Sequence, residues 1–265
     1  MTTRRTANDP SHGPTFQLSR EVPVGDAAVP RMELIDWAES HGVVAGITTR
    51  AHGFSLGLWS DEPVGQVMTR WRAFRAELRT GFPAMVLSHQ VHGADVRWHD
   101  HRVDGWHILD GVDGHGTRER GVLLTVTVAD CVPVYLCVPG KGAVALLHAG
   151  WRGTAAGVLA RGAELVRQYA FARAGDIVMH CGVAICGECY EVGSEVVQAL
   201  TGRAADAAER VDLRALLVHQ ARALGIQDIT VSPWCSAHDR ERFFSHRASG
   251  GSDGRMVAYL GRRLA

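Results

Sequence analysis

Apolar positions recur with two different periods along the 265 residues. Between 66 and 80 they fall at Val67, Trp71, Phe74 and Leu78, steps of three and four that predict a helix with one buried face. Val158, Leu159, Leu165 and Val166 set the same stripe in a helix expected over 153–169, and further helices are expected over 32–39, 194–200 and 213–224, the last stopped by Gly225. Elsewhere the apolar runs are short and rich in β-branched residues. The stretches 122–128, 132–138, 143–147, 177–181, 229–232 and 257–260 read as buried strands, with shorter strand candidates at 15–18, 46–50, 85–88 and 95–98. Strands and helices mix without a strict βαβ rhythm, no repeat is present, and no Pro- or Ser-rich linker interrupts the interior. The pattern predicts a single α/β domain over 31–265. Residues 1–30 carry Pro10, Pro14, Pro23 and Pro30 among small polar residues and read as a flexible tail.

Composition narrows the classes of function. Hydrophobic residues make up 46% and charged residues 21%, an ordinary globular balance that needs no disulfides to build a core. Acidic and basic residues number 28 each, so the basic excess of a nucleic-acid binder is missing and no nucleic-acid partner is expected. No run of about 18 apolar residues predicts a membrane span, and the first residues lack a signal-peptide core. A cytoplasmic protein with reduced cysteines is expected.

Three short segments concentrate reactive side chains: His89-Gln-Val-His92-Gly93, Ala129-Asp130-Cys131-Val-Pro133 and His148-Ala-Gly-Trp-Arg152-Gly153. Each sets an imidazole or a thiol at the end of a predicted strand, beside Gly or Pro, where side chains converge on clefts. Cys131 and His148 are seventeen residues apart, a spacing that fits strand, turn, strand and brings both to one end of a sheet. One Cys and two His match a zinc site with three protein ligands and an open fourth position, in which zinc holds the sulfur as thiolate and acidifies a bound water. The competing reading makes Cys131 a small buried hydrophobe and each His a hydrogen-bonded core residue. Either His89 or His92 could be the second imidazole; an extended segment points them to opposite sides, and the turn at Gly93 favours His92.

Other candidates are weaker. Cys181-x4-Cys186-x2-Cys189, with Cys235 downstream, contains one tight pair where a four-thiolate zinc site shows two, and reads as free thiols in a Gly-rich turn. Gly111, Gly114 and Gly116 read as a turn without a phosphate-binding fingerprint. His99-Asp-His101 is the single His-x-His, so the repeated pairs and the His-Cys-His of a blue-copper multicopper oxidase are missing. Arg50, Arg152, Arg247 and Arg255 are candidate anion holders, or else surface arginines.

Five segments in order resemble the YfiH-type laccase-domain family, also labelled polyphenol oxidase or purine nucleoside phosphorylase. They are Gln90-Val-His-Gly93, Thr127-Val-Ala-Asp-Cys-Val-Pro133, His148-Ala-Gly-Trp-Arg-Gly153, Cys189-Tyr-Glu-Val-Gly193 and Phe243-Phe-Ser-His-Arg247 with Gly254-Arg255. The resemblance implies one α/β domain of layered mixed sheets with flanking helices. It implies metal ligands at His92, Cys131 and His148, with zinc as the metal and copper as the second metal it admits. It further implies a cytoplasmic enzyme that cleaves purine nucleosides with phosphate and deaminates adenosine. In that chemistry Cys131 and His148 are catalytic, Asp130 is the candidate acid or else fixes the Cys131 turn by hydrogen bonding, and Arg50, Arg152 or Arg247 holds phosphate. The family's asparagine in Ser-Leu-Asn-Leu-Gly is replaced by Gly57, its Gly-Pro-Cys-Cys-Tyr-Glu-Val becomes Cys186-Gly-Glu-Cys-Tyr-Glu-Val192, and its Asp-Ala-Leu-Val-Thr becomes Asp113-Gly-His-Gly-Thr117. The ligands are kept while part of the pocket changes. Two other functions are carried alongside: a metal-free thiol hydrolase with Cys131 as nucleophile and His148 as base, and a zinc- or nucleotide-binding protein without turnover.

Overall fold

The computed structural model describes residues 16–264. In chain order its strands are β1 (Gln17–Leu18), β2 (Val22–Pro23), β3 (Arg31–Glu33), β4 (Val44–Thr48), β5 (Ala84–His89), β6 (Arg97–His99), β7 (Gly105–Asp110), β8 (Gly114–Thr117), β9 (Val122–Val128), β10 (Val132–Val138), β11 (Ala143–Ala149), β12 (Val178–Cys181), β13 (Glu191–Val192), β14 (Glu209–Arg210), β15 (Asp228–Val231) and β16 (Met256–Gly261). Its helices are α1 (Ile35–His41), α2 (Val64–Leu78), α3 (Trp151–Ala155), α4 (Val158–Ala170), α5 (Ser194–Thr201) and α6 (Leu213–Ala223). Two seven-stranded mixed sheets form, in the orders β1-β15-β12-β10-β11-β8-β6 and β2-β3-β4-β16-β9-β5-β7, beside a small β13-β14 pair.

Side-chain alternation along the strands builds four layers. On β10 and β11, Tyr135, Cys137, Val144 and Leu146 face the second sheet and meet Met32, Ile47, Leu124 and Val126. Their neighbours Val134, Leu136, Ala145 and Leu147 face the other way, onto α4 and α6 through Leu159, Val166, Leu217 and Val218. The outer face of the second sheet offers Leu87, Leu123, Val257 and Tyr259 to Trp71 and Phe74 of α2. Strands covered on both faces read as near-continuous apolar runs, which is why 122–149 is so hydrophobic. The antiparallel β10–β11 register pairs Pro133 with His148 and Val132 with Ala149. The turn holding Cys131 and the end of the His148 strand therefore lie side by side.

Several expected elements are drawn differently. Residues 16–30 of the expected tail belong to the fold through β1 and β2, because Glu21 between them is buried against His180 and Ser232; residues 1–15, including Thr15 of the strand candidate, lie outside the described residues. The 32–39 helix begins only at Ile35, since Arg31–Glu33 pairs with β4. The 153–169 helix is two, α3 and α4, parted at Gly157, whose φ of 85° no α-helix accommodates. The strand candidates at 85–88 and 95–98 correspond to β5 and β6, which lie in different sheets although they are near neighbours in the sequence. The glycines read as a turn mostly form strand β8: a Cβ on Gly116 would come within 2.6 Å of the Trp98 ring, and one on Gly114 within 2.8 Å of Leu147.

Candidate metal centre

The Val91–Gly93 turn leaves β5 with His92 itself in the left-handed region, at φ 59°. It is Asp113, at the start of β8, that holds this turn. Its carboxylate accepts the backbone N–H groups of Val91, His92 and Gly93 at 3.2, 3.0 and 2.7 Å. The same carboxylate accepts Nδ1–H of His148 at 2.8 Å, so one buried anion fixes two imidazole-bearing segments and leaves Nε2 of His148 free to face Cys131. Cys131 is presented by the turn between β9 and β10, where Asp130 adopts φ 82°. Asp130 accepts Ser236 Oγ on one oxygen and the Arg247 N–H on the other, both at 2.6 Å. Its carboxylate braces the turn with both oxygens engaged.

Donor atoms of His92, Cys131 and His148 lie within 4.8 Å of one another. The two imidazoles meet edge to face with centroids 4.9 Å apart. A side chain at Gly150 would fill the space: its Cβ would stand 2.9 Å from Cys131 Sγ and 3.1 Å from the His92 ring. Burial alone would push the Cys131 thiol up, but the His148 charge and hydrogen bonds from His148 and His92 bring it down to about 6. Burial would likewise lower His148, yet the Cys131 thiolate and Asp113 raise it to about 9. A thiolate and two converging imidazoles, one oriented by a carboxylate, are the donors a three-ligand zinc site uses. The residues fit such an ion.

The centre opens into a cleft of about 610 Å³. Trp59, Trp151 and Tyr190 present aromatic surface there, and Arg152, Arg247 and Arg255 bring positive charge. Arg152 lies 4.3 Å over the Trp151 ring and has no ion pair among the described residues. Arg247 lies over Tyr190 and donates to the Glu191 carbonyl. Arg50 does not line the cleft; it pairs with Asp253 at 3.5 Å and covers Phe244. His89 lines the cleft but turns its Nδ1 to Asp110 and its ring to Trp59. At Gly57, a Cβ would come within 3.0 Å of the Arg255 stem, so Arg255 takes part of the space a longer side chain would need. No local sequence pattern marks Asp113 as functional, for its partners lie 20 to 35 residues away.

Residues 41–263 match the family described as multi-copper polyphenol oxidoreductase laccase. The chain belongs to that family. It is 34% identical over 249 residues, 84% of this chain and 91% of the relative, to a protein of Geobacillus stearothermophilus named purine nucleoside phosphorylase YlmD. It is 32% identical over 267 residues, 88% of this chain and 99% of the relative, to one named adenosine deaminase from an unknown prokaryotic organism. The crystal structure of Geobacillus stearothermophilus YlmD superposes with a TM-score of 0.83 at 31% identity, covering 92% of this chain and all 100% of that one. That of Bacillus licheniformis YfiH does so with 0.80 at 26% identity, covering 90% and 98%. The layered α/β architecture of the laccase-domain family is thus the fold of this chain. No described helix is long and apolar enough to cross a membrane.

Proposed function

We propose that this protein is a zinc-dependent purine nucleoside phosphorylase that also deaminates adenosine, with zinc held by His92, Cys131 and His148. The observation that carries the reading is the cleft: it joins this donor set to aromatic walls and unpaired arginine in one space. The names of the relatives point the same way. Bound zinc would supply Lewis acidity and an activated water beside the substrate. The chain's own residues do the rest. Trp59, Trp151 and Tyr190 offer faces on which a purine stacks. Arg152, without a carboxylate partner, and Arg247 offer planar forks for phosphate oxygens. Asp113 keeps His148 in one tautomer and orientation. Asp130 serves as the brace of the Cys131 turn, since both of its oxygens already accept hydrogen bonds.

A second reading has one observation behind it. Asp113, His148 and Cys131 form a carboxylate–imidazole–thiol chain with the thiol lowered to about 6, the arrangement of a metal-free thiol nucleophile.

The test is incubation of untagged, metal-quantified protein with adenosine, inosine, guanosine and methylthioadenosine, with and without phosphate, read by chromatography. Phosphate-dependent release of free base and phosphate-independent conversion of adenosine to inosine are expected, both lost on chelation and in Cys131→Ala. Arg152→Ala should raise the phosphate requirement about tenfold or more, the loss of one charge-assisted contact, while deamination stays near wild type. No turnover of any nucleoside by zinc-loaded protein would overturn the proposal, and activity that survives complete removal of metal would favour the thiol reading.

A further inference from the structure

The cysteines read from sequence as free thiols do not scatter in a turn. Cys186 and Cys189 lie in the loop after β12, Cys235 and His238 in the segment after β15, and these strands run parallel with Cys181 opposite Val231. The chain thereby brings two pairs with the same x2 spacing face to face, and the donor atoms of all four residues lie within 4.8 Å of one another. Cys181, the other member of the sequence cluster, stays buried in β12 and takes no part. His238, whose Cys235-x2-His238 spacing supplies the second tight pair, replaces it.

We propose that Cys186, Cys189, Cys235 and His238 bind a second zinc ion, structural in kind and separate from the cleft. Three thiols and one imidazole form a closed four-ligand set of the structural type, with no position left for substrate. Zinc sits about 2.3 Å from sulfur and about 2.0–2.1 Å from nitrogen, which places the tetrahedral donors of such a set about 3.5–3.8 Å apart. Nδ1 of His238 lies 3.7 Å from Cys186 Sγ and Nε2 of the same ring 3.1 Å from Cys189 Sγ, so the imidazole meets both sulfurs of the first pair. The N–H of Cys186 reaches Cys235 Sγ at 3.3 Å, tying one pair to the other. Three thiolates this close repel each other unless a cation sits among them. A Cys186–Cys189 disulfide would use two of the sulfurs and leave Cys235 and His238 converging on nothing.

The position gives the ion a purpose. Ala184 bridges to Cys235, and Ser236 donates its N–H to the Ala184 carbonyl, so the two loops are already paired where the ligands begin. Tyr190, next to Cys189, forms a wall of the catalytic cleft, and Ser236, next to Cys235, holds Asp130. Zinc would clip together the two irregular segments that carry one side of the cleft.

The experiment is zinc quantification on untagged protein, with cobalt substitution as an optical readout. About two zinc ions per chain are expected in the wild type, about one in Cys131→Ala, about one in Cys189→Ser, and close to none in the double variant. Cobalt in the Cys131→Ala protein should show the intense sulfur-to-metal charge transfer and strong visible bands of a tetrahedral site with several thiolates, and His238→Cys should retain the metal. Should Cys189→Ser fail to fold, wild-type stoichiometry and the cobalt spectrum of Cys131→Ala still decide. A Cys131→Ala protein that is folded but neither carries nor takes up zinc, or a Cys186–Cys189 disulfide in freshly purified wild type, would overturn the proposal. These outcomes do not depend on nucleoside turnover.

Discussion

Four hydrogen bonds converge on the Asp113 carboxylate, three from backbone N–H groups and one from His148, and the residue has no exposed surface. Burial would raise its pKa, but His148 and the amides at Val91 and Gly93 hold it below the usual carboxylate range. An asparagine is nearly the same size and cannot accept on both sides. Its NH2 must stand either at Oδ1, against His148 and the His92 amide, or at Oδ2, against the Val91 and Gly93 amides, and in either case donor meets donor. Asp113→Asn should therefore weaken zinc binding about 10–100-fold, the usual consequence of losing the partner that orients a ligating histidine. Competition against a chromophoric chelator measures this directly. Unchanged affinity in a folded variant would show that Asp113 serves the turn alone.

At the scale of the element, β6 and β8 carry a histidine pair at one edge of the first sheet. His99 Nε2 and His115 Nδ1 are 3.1 Å apart, and Nε2 of fully buried His115 has no hydrogen-bond partner. Burial, then the neighbouring charges of Arg97 and His107, pushes His99 down to about 4. Burial, then His99, pushes His115 down to about 3. In the unfolded chain both titrate near the ordinary histidine value of about 6.5. Above that pH neither state is protonated and the pair does not alter stability. As the pH falls from about 6.5 to about 4, the unfolded chain binds protons that the folded one refuses, so stability is lost. The loss is on the order of 3 kcal/mol for each histidine across that window. Urea midpoints measured from pH 7 to pH 4 should fall less steeply in His115→Gln than in the wild type, and parallel slopes would contradict the assignment.

Across the whole molecule, a buried cluster ties the N-terminal segment to the first sheet. Glu21 accepts Ser232 Oγ at 2.7 Å, lies 3.2 Å from His180 Nε2, and lends its carbonyl to the Trp234 indole N–H. Arg20 covers the same indole, 4.2 Å from its centroid. Glu21→Ala would leave the buried His180 and Ser232 without this partner, and unsatisfied buried polar groups cost about 1–3 kcal/mol each. A stability loss of about 2 kcal/mol or more is expected in urea denaturation, with the slope unchanged if the native and unfolded states keep their surfaces. A shift below about 0.5 kcal/mol, the size of an ordinary surface substitution, would place residues 16–24 outside the cooperative unit.

Local order was legible where one residue's neighbours in sequence are also its neighbours in space. The α2 stripe at Val67, Trp71, Phe74 and Leu78 is buried as its period requires, and the apolar runs at 122–128 and 132–138 are strands β9 and β10 at those bounds. The spacing of Cys131 and His148 could be read because a single antiparallel register joins them. What the sequence could not determine rests on contacts between distant segments. Strands β5 and β6 are close in sequence but were parted into different sheets by the strands they pair with. Gly114 and Gly116 resemble turn residues, and only Leu147 and Trp98 across the sheet show why a strand needs them small. Asp113 joins two segments through bonds that span 20 and 35 residues, and His238 meets Cys189 across 49. Periodicity along a chain reports which face of an element is buried; which carboxylate, thiol or imidazole waits on the other side is decided by how the sheets pack, and that is a property of the assembled core.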